Sequence, residues 1–463
     1  MSKTFSTISP IDGSAYVTRE YATAEEIQST LEAAKKTQQD WKKVPLSERK
    51  DICSKAIDAF VAKKDAIAEE ICWQMGRPIR FAAGEVAGLE ERARTMIRLA
   101  DQGLAPVKLE EKPGFDRWIQ RDPVGVVFVI APWNYPYLTS INAVLPAILA
   151  GNSVIIKHSA QTPLCAERLY EAFKEGGLPD GVFQYLHLTH SDTEAIIKDS
   201  RVDYVAFTGS VPGGAMVEKA ATGRFIGVGL ELGGKDPAYV RRDADIAHAV
   251  DTVMDGAFFN SGQSCCGIER VYVHEDIYDT FLQQAADWVK ALKLGRSDDP
   301  ETTLGPLVKA SAADFVRGQI AEAISQGAQT LIAADDFPVD EPGSAYLAPQ
   351  ILTEVNHSMR IMTEESFGPV VGIQKVSSDK EAIELMNDSE FGLTAAIFTK
   401  DIDTGIELGQ QIETGTFFIN RCDYLDPELA WTGVKNSGYG CTLSVIGYEA
   451  VTRPKSFHIK TVL

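Results

Sequence analysis

The hydrophobic positions along the chain change their period near residue 124. Before it, apolar residues recur three and four apart. Ile27, Leu31 and Ala34 follow Thr23-Ala24-Glu25-Glu26, which has capping-box spacing, and Ile52, Ala56 and Phe60 follow Ser47. The first hundred residues therefore read as helices, with nothing chemical standing out among them. From Val124 onward, short apolar runs alternate with helix-patterned stretches. Residues 124–131, 154–157, 182–186, 204–207 and 225–231 predict strands, and 164–174 and 215–221 predict the helices between them. This alternation implies a parallel sheet with right-handed crossovers, which binds ligands where loops leave the C-terminal strand ends. Those ends carry Pro132-Trp133-Asn134, Lys157-His158-Ser159 and Thr208-Gly209-Ser210. A second α/β pattern runs from 236 to 432, with strands at 270–274 and 371–376 and helices at 277–292 and 312–326. In the mixed tail, 456–462 alternates like an edge strand able to pair with another subunit.

Composition narrows the class. A chain of 463 residues predicts two or three packed units. A net charge of -20 repels nucleic acid and anionic membrane surfaces, so neither is an expected partner. No apolar run reaches membrane-spanning length. The seven cysteines are scattered without a CxxC pair, and the Met1 end lacks a signal-peptide pattern, so a reduced cytoplasmic setting is expected. The seven histidines lack ligand spacing, and no metal site is predicted.

Three segments carry chemistry. Cys265 lies in Asn260-Ser261-Gly262-Gln263-Ser264-Cys265-Cys266, where a nearby glycine and small polar residues allow close backbone approach; alone it reads as either a nucleophile or a buried inert thiol. Glu231 ends an apolar run before Gly233-Gly234-Lys235. It reads as a base of raised pKa or as a strand-end partner of Lys235. Asn134, between Pro132 and Pro136, is an oxyanion donor or a turn residue.

Together these segments resemble the aldehyde dehydrogenase superfamily, in its NAD(P)-dependent, non-acylating form, over essentially the whole chain. The motifs, in order, are Pro132-Trp133-Asn134, Lys157, Phe207-Thr208-Gly209-Ser210, Glu231-Leu232-Gly233-Gly234-Lys235, the Asn260–Cys265 segment, Glu364-Glu365-Ser366-Phe367-Gly368-Pro369, 387–392 and Gly433-Val434-Lys435-Asn436-Ser437-Gly438. The resemblance implies an α/β fold with two Rossmann-like parallel-sheet domains and a small β oligomerisation element. It implies a cofactor-binding domain of 1–105 and 124–232, a catalytic domain of 233–432, and oligomerisation or bridging segments at 106–123 and 433–463. It further implies Cys265 as nucleophile, Glu231 as general base and Asn134 as oxyanion donor beside the backbone N–H of Cys265. An aldehyde is oxidised to its acid through a thiohemiacetal and a thioester. NADP or NAD is the implied cofactor, held by Lys157, Trp133, Ser159, Gly209, Ser210, Gly214, Glu365 and Phe367. The family associates as homodimers or homotetramers.

The sequence departs from that pattern in three places. Where many NAD-preferring relatives carry a Glu three positions after the lysine, this chain has Ala160, which removes repulsion of a 2'-phosphate; His158 and Ser159 are candidates to assist, so NADP is expected to be accepted. The lysine and glutamate of a proton relay are replaced by Ala143 and Thr442, so Glu231 is expected to exchange protons through water or backbone. Ala430-Trp431-Thr432-Gly433 replaces the usual Pro-Phe-Gly-Gly. With Tyr135, Leu138, Ser264, Cys266, Asp423, Leu425 and Trp431 as the expected lining, an apolar or aromatic aldehyde is the predicted substrate. Arg421 offers an alternative, as anchor for the carboxylate of a semialdehyde, and transfer of the acyl group to coenzyme A is a further alternative. Cys266 reads as a wall residue.

Overall fold

The computed structural model describes residues 3–462. Residues 1, 2 and 463, at the outer ends of the expected divisions, lie outside the described residues. The run Val126–Ile130 is apolar throughout and buried throughout, because helices cover both faces of its sheet. It anchors a six-stranded sheet ordered Gly438–Tyr439, Gly227–Glu231, Tyr204–Thr208, Val126–Ile130, Ser153–Lys157, Phe183–Tyr185. The five strands that the sequence predicts here are mutually parallel; the Gly438–Tyr439 pair adds antiparallel to Gly227–Glu231. The chain runs outward through 153–157 and 183–185, then returns to the other side of Val126–Ile130. A topological switch point therefore opens between Val126–Ile130 and Tyr204–Thr208.

The second sheet has seven strands, ordered Gln329–Thr330, Gln350–Thr353, Val370–Val376, Ile268–His274, Asp236–Val240, Thr394–Phe398, Thr416–Ile419. All its pairings are parallel except that of the edge pair Gln329–Thr330 and Gln350–Thr353. Only four residues separate Gly227–Glu231 from Asp236–Val240, so the C-terminal edge of the first sheet feeds the N-terminal edge of the second. A third sheet pairs Thr452–Lys460 antiparallel with Phe115–Pro123, with Val107–Lys108 on the far side. The tail strand thus finds its first partner within its own chain and keeps its other edge unpaired among the described residues. Trp118 and Phe457 stack across that pair, 4.5 Å between ring centroids.

The helical reading of the first hundred residues needs one correction. Thr4–Ile8 and Ala15–Glu20 form an antiparallel hairpin. Its turn contains Gly13 at φ 77°, a conformation that glycine adopts without Cβ strain. Helices follow: Ala24–Trp41, with its complete capping box at Thr23 and Glu26, then Leu46–Val61, Lys64–Met75 and Ile79–Gly103. No helix among the described residues is long and apolar enough to cross a membrane.

Candidate active site

The switch point of the first sheet opens into a cavity of about 420 Å³ lined by Pro132, Trp133, Asn134, Thr208, Gly209 and Ser210 from strand ends. Glu365 and Phe367, which precede the Val370–Val376 strand of the second sheet, close its other side. Trp133 and Phe367 meet edge to face at 5.7 Å. A second cavity, of about 310 Å³, is lined by Tyr135, Leu138, Ser264, Cys266, Asp423, Leu425 and Trp431, together with Arg92, Asn142 and Phe259. Cys265 and Glu231 line both cavities. One sulfur and one carboxylate therefore stand where the two spaces meet.

The local backbone explains how Cys265 comes to be there. Helix Ile246–Phe258 is followed by Asn260, Ser261 and Gly262 at φ 53°, 57° and 70°, three left-handed residues that turn the chain sharply. A Cβ on Gly262 would lie 2.1 Å from the Gly368 carbonyl oxygen, so only glycine fits. The side chain of Gln263 pins the turn, donating to the Asn260 carbonyl at 3.0 Å and accepting from the Val308 N–H at 2.8 Å. Asn134 is buried, and its amide donates to the Gln263 carbonyl at 3.3 Å, which leaves it a second N–H; it lines the same cavity as Cys265. Behind it, Arg77 donates to the Asn134 carbonyl at 2.6 Å and is paired with buried Glu85.

Charges are tuned by burial. Glu231 accepts from the Thr442 hydroxyl at 2.6 Å and from the Thr208 hydroxyl at 3.1 Å. Burial raises its pKa, while those two hydroxyls and the charge of Arg92 pull it partly back. Lys235 is not its partner: it donates to Glu269 at 2.6 Å, and Glu269 also accepts the Ser366 and Phe367 N–H groups at 2.8 Å. Glu365 accepts from the Gly234 N–H at 3.1 Å, and burial together with the Glu269 charge raises it to about 7. Asp423 accepts from Ser264 at 2.9 Å and from the Cys266 thiol at 3.0 Å; burial raises it to about 6. The adjacent Cys265, burial and Asp423 hold Cys266 well above the thiol range, so it remains a protonated wall residue.

Comparison with known proteins gives this arrangement a lineage. The profile of the aldehyde dehydrogenase family matches residues 1–457. The chain belongs to that family. It is 34% identical, over 98% of its length and 96% of the relative's, to a succinate-semialdehyde dehydrogenase (NADP(+)) of Mycobacterium avium (strain 104). It is 33% identical to the succinate semialdehyde dehydrogenase (NAD(P)+) of Escherichia coli (strain K12), covering 95% of this chain and 94% of that one. The crystal structure of succinic semialdehyde dehydrogenase from Streptococcus pyogenes in complex with NADP+ superposes with a TM-score of 0.94 at 31% identity, covering 98% of this chain and all of that one.

In this aldehyde dehydrogenase, the expected substrate lining lies together in one cavity. The expected cofactor residues divide. Trp133, Gly209, Ser210, Glu365 and Phe367 line the switch-point cavity, but Lys157, Ser159 and Gly214 do not. Lys157 ends its strand half-buried, with no carboxylate within 4 Å among the described residues, and burial lowers its pKa. The Ser159 hydroxyl accepts from the Gln161 N–H, inside its own loop. Gly214 packs against Leu232, where a Cβ would come within 2.7 Å, so packing explains this glycine. His158 is a correction: it is buried against the Pro136 carbonyl and Thr162, and burial pushes its pKa down to about 3, so it is a neutral core residue and no cation for a phosphate. Arg421 is exposed and stacks on Tyr424, 3.6 Å from its ring centroid, outside the cavity lining.

Several residues of the site escaped sequence reasoning. Gly88, Glu91 and Arg92 line the second cavity from helix Ile79–Gly103, a segment whose sequence shows no chemical motif. Arg92 is buried and donates to the Leu138 carbonyl at 2.9 Å and the Asn142 Oδ1 at 3.3 Å. The Asn142 Nδ2 is buried with no hydrogen-bond partner. Thr442, read only as a lost relay residue, is the hydroxyl that holds Glu231.

Proposed function

We propose that this protein oxidises an aldehyde to its carboxylic acid, with NADP or NAD as acceptor, and that Cys265, Glu231 and Asn134 do the chemistry. The placement of Cys265 in the wall shared by both cavities carries the reading, because a carbon bonded to that sulfur lies within reach of both spaces. The thiolate adds to the aldehyde carbon, and the resulting oxyanion accepts from the free Asn134 N–H and the Cys265 backbone N–H. A bound nicotinamide dinucleotide supplies the hydride acceptor. Glu231 then takes a proton from water, whose oxygen displaces the sulfur from the thioester and releases the acid. A water-activating base favours hydrolysis over transfer to coenzyme A.

The switch-point cavity suits the nicotinamide riboside end of such a cofactor. Trp133 and Phe367 offer flat apolar faces, Glu365 offers a carboxylate to ribose hydroxyls, and Ser210 caps helix Val211–Ala221, whose N-terminus favours phosphate. Unpaired Lys157 and Ala160 favour acceptance of NADP. Turnover with NADP+ and NAD+ at matched concentrations tests this; rejection of NADP+ would remove the cofactor reading.

The aromatic lining by Tyr135, Phe259, Tyr424 and Trp431 supports an apolar or aromatic aldehyde. A second reading rests on Arg92 and the unpartnered Asn142 Nδ2, a cation and a donor in the same cavity that suit a carboxylate-bearing semialdehyde, the substrate class in the relatives' names. Benzaldehyde, hexanal and succinic semialdehyde assayed together decide between them. Cytoplasmic residence, assembly as a homodimer or homotetramer through 106–123 and 456–462, and the division into 1–105 with 124–232, 233–432, and 106–123 with 433–463 complete the proposal.

A further inference from the structure

At the opposite edge of the first sheet, where strands begin instead of end, lies a cavity of about 500 Å³ bordered by Gly125, Ala150 and Asp203. It faces away from the site described above. In a chain of net charge -20, its lining holds seven cationic side chains and two carboxylates. Four of the cations are answered: Lys35 by Asp203 at 2.8 Å, Lys43 by Asp40 at 2.9 Å, Arg121 by Glu449 at 2.7 Å and Lys455 by Asp122 at 3.7 Å. Lys42, Arg49 and Arg453 have no carboxylate within 4 Å among the described residues.

Arg49 is the decisive member. It is only 8% exposed, and its Nε is buried without a hydrogen-bond partner. Its guanidinium makes one long contact, 3.5 Å to the Lys42 carbonyl. Gly151, at φ 96°, leaves it room: a Cβ there would stand 3.0 Å from the guanidinium. A buried guanidinium stays charged, and leaving it unpaired is costly in a folded protein. Asp203 offers no relief, because it is already committed to Lys35 and to the Val126 N–H at 2.9 Å. A planar fork of donors at the base of a basic pocket, with two exposed cations at its mouth, matches the oxygens of a phosphate group.

We propose that this cavity binds a soluble phosphate-bearing polyanion, held by Arg49 inside and by Lys42 and Arg453 at the mouth. Tripolyphosphate is the probe, titrated calorimetrically into the full-length protein at constant ionic strength with NADP+ saturating, so that the Ser210 helix terminus is filled. The expected result is one site per chain that weakens at least tenfold in the Lys42→Glu/Arg453→Glu double variant, with aldehyde turnover unchanged. Both substituted residues are exposed, so this variant keeps the test decisive even if Arg49→Gln does not fold. Absence of binding to the wild type, as when a second copy of the chain covers the cavity, overturns the proposal. Equal affinity for wild type and double variant overturns it as well.

Discussion

Glu231 is held between two opposed influences: its burial disfavours the carboxylate, while the Thr442 and Thr208 hydroxyls favour it. In its proposed role as base it works only when deprotonated, so activity is expected to rise with pH through its pKa. Removing a donor to the anion raises that pKa further. Thr442→Val is therefore expected to move the acid limb of the kcat profile upward by about 0.5–1 pH unit, the equivalent of one hydrogen bond, and Thr442→Ser to restore it. A limb that stays in place would detach Thr442 from the base. For the adjacent cysteines, Cys265→Ser is expected to lower turnover by about a thousandfold or more, whereas Cys266→Ser keeps most of it, because Cys266 is held as a thiol. NAD(P)H absorbance with hexanal reads both. Arg92→Gln separates the two substrate readings: if a carboxylate is recognised, KM for succinic semialdehyde rises about tenfold or more while benzaldehyde is little changed.

At the level of elements, legibility followed burial. Strands covered on both faces, such as Val126–Ile130 and Thr394–Phe398, write nearly continuous apolar runs, and Thr23 with Glu26 announces its helix directly. The periodicity of Ile79–Gly103 shows which side of that helix is buried but not what it is buried against, so Arg92 passed as one more helix residue. The same limit hid Glu269. Its carboxylate lies in the buried strand Ile268–His274, beside Arg270, where it neutralises Lys235 and clamps the loop that carries Phe367. His158 erred in the other direction, since its place beside Lys157 suggested a ligand contact while its ring turns into the core. Breaking the clamp tests its structural weight: Glu269→Ala strands a buried ammonium and is expected to cost about 3–5 kcal/mol in urea unfolding. A loss below about 1 kcal/mol would mean that the loop is fixed by other contacts.

For the whole molecule, the tail strand raises the question of assembly. Thr452–Lys460 joins Phe115–Pro123 within the chain and keeps its other edge unpaired among the described residues. The Thr461 N–H donates to the Gly114 carbonyl, so alternate residues bond inward and the Ser456 N–H faces the open edge, where proline removes a ladder donor. If chains associate through this edge, Ser456→Pro is expected to sediment as a smaller species with unchanged far-ultraviolet circular dichroism. An unaltered assembly would move the interface elsewhere.

The position of Cys265 and Glu231 in the lining of both cavities makes the molecule two rooms with one party wall. On the proposed roles, aldehyde and dinucleotide occupy different rooms, so neither has to pass through the other's. What the two visitors share is that wall, and enlarging or filling one room leaves the other its own shape.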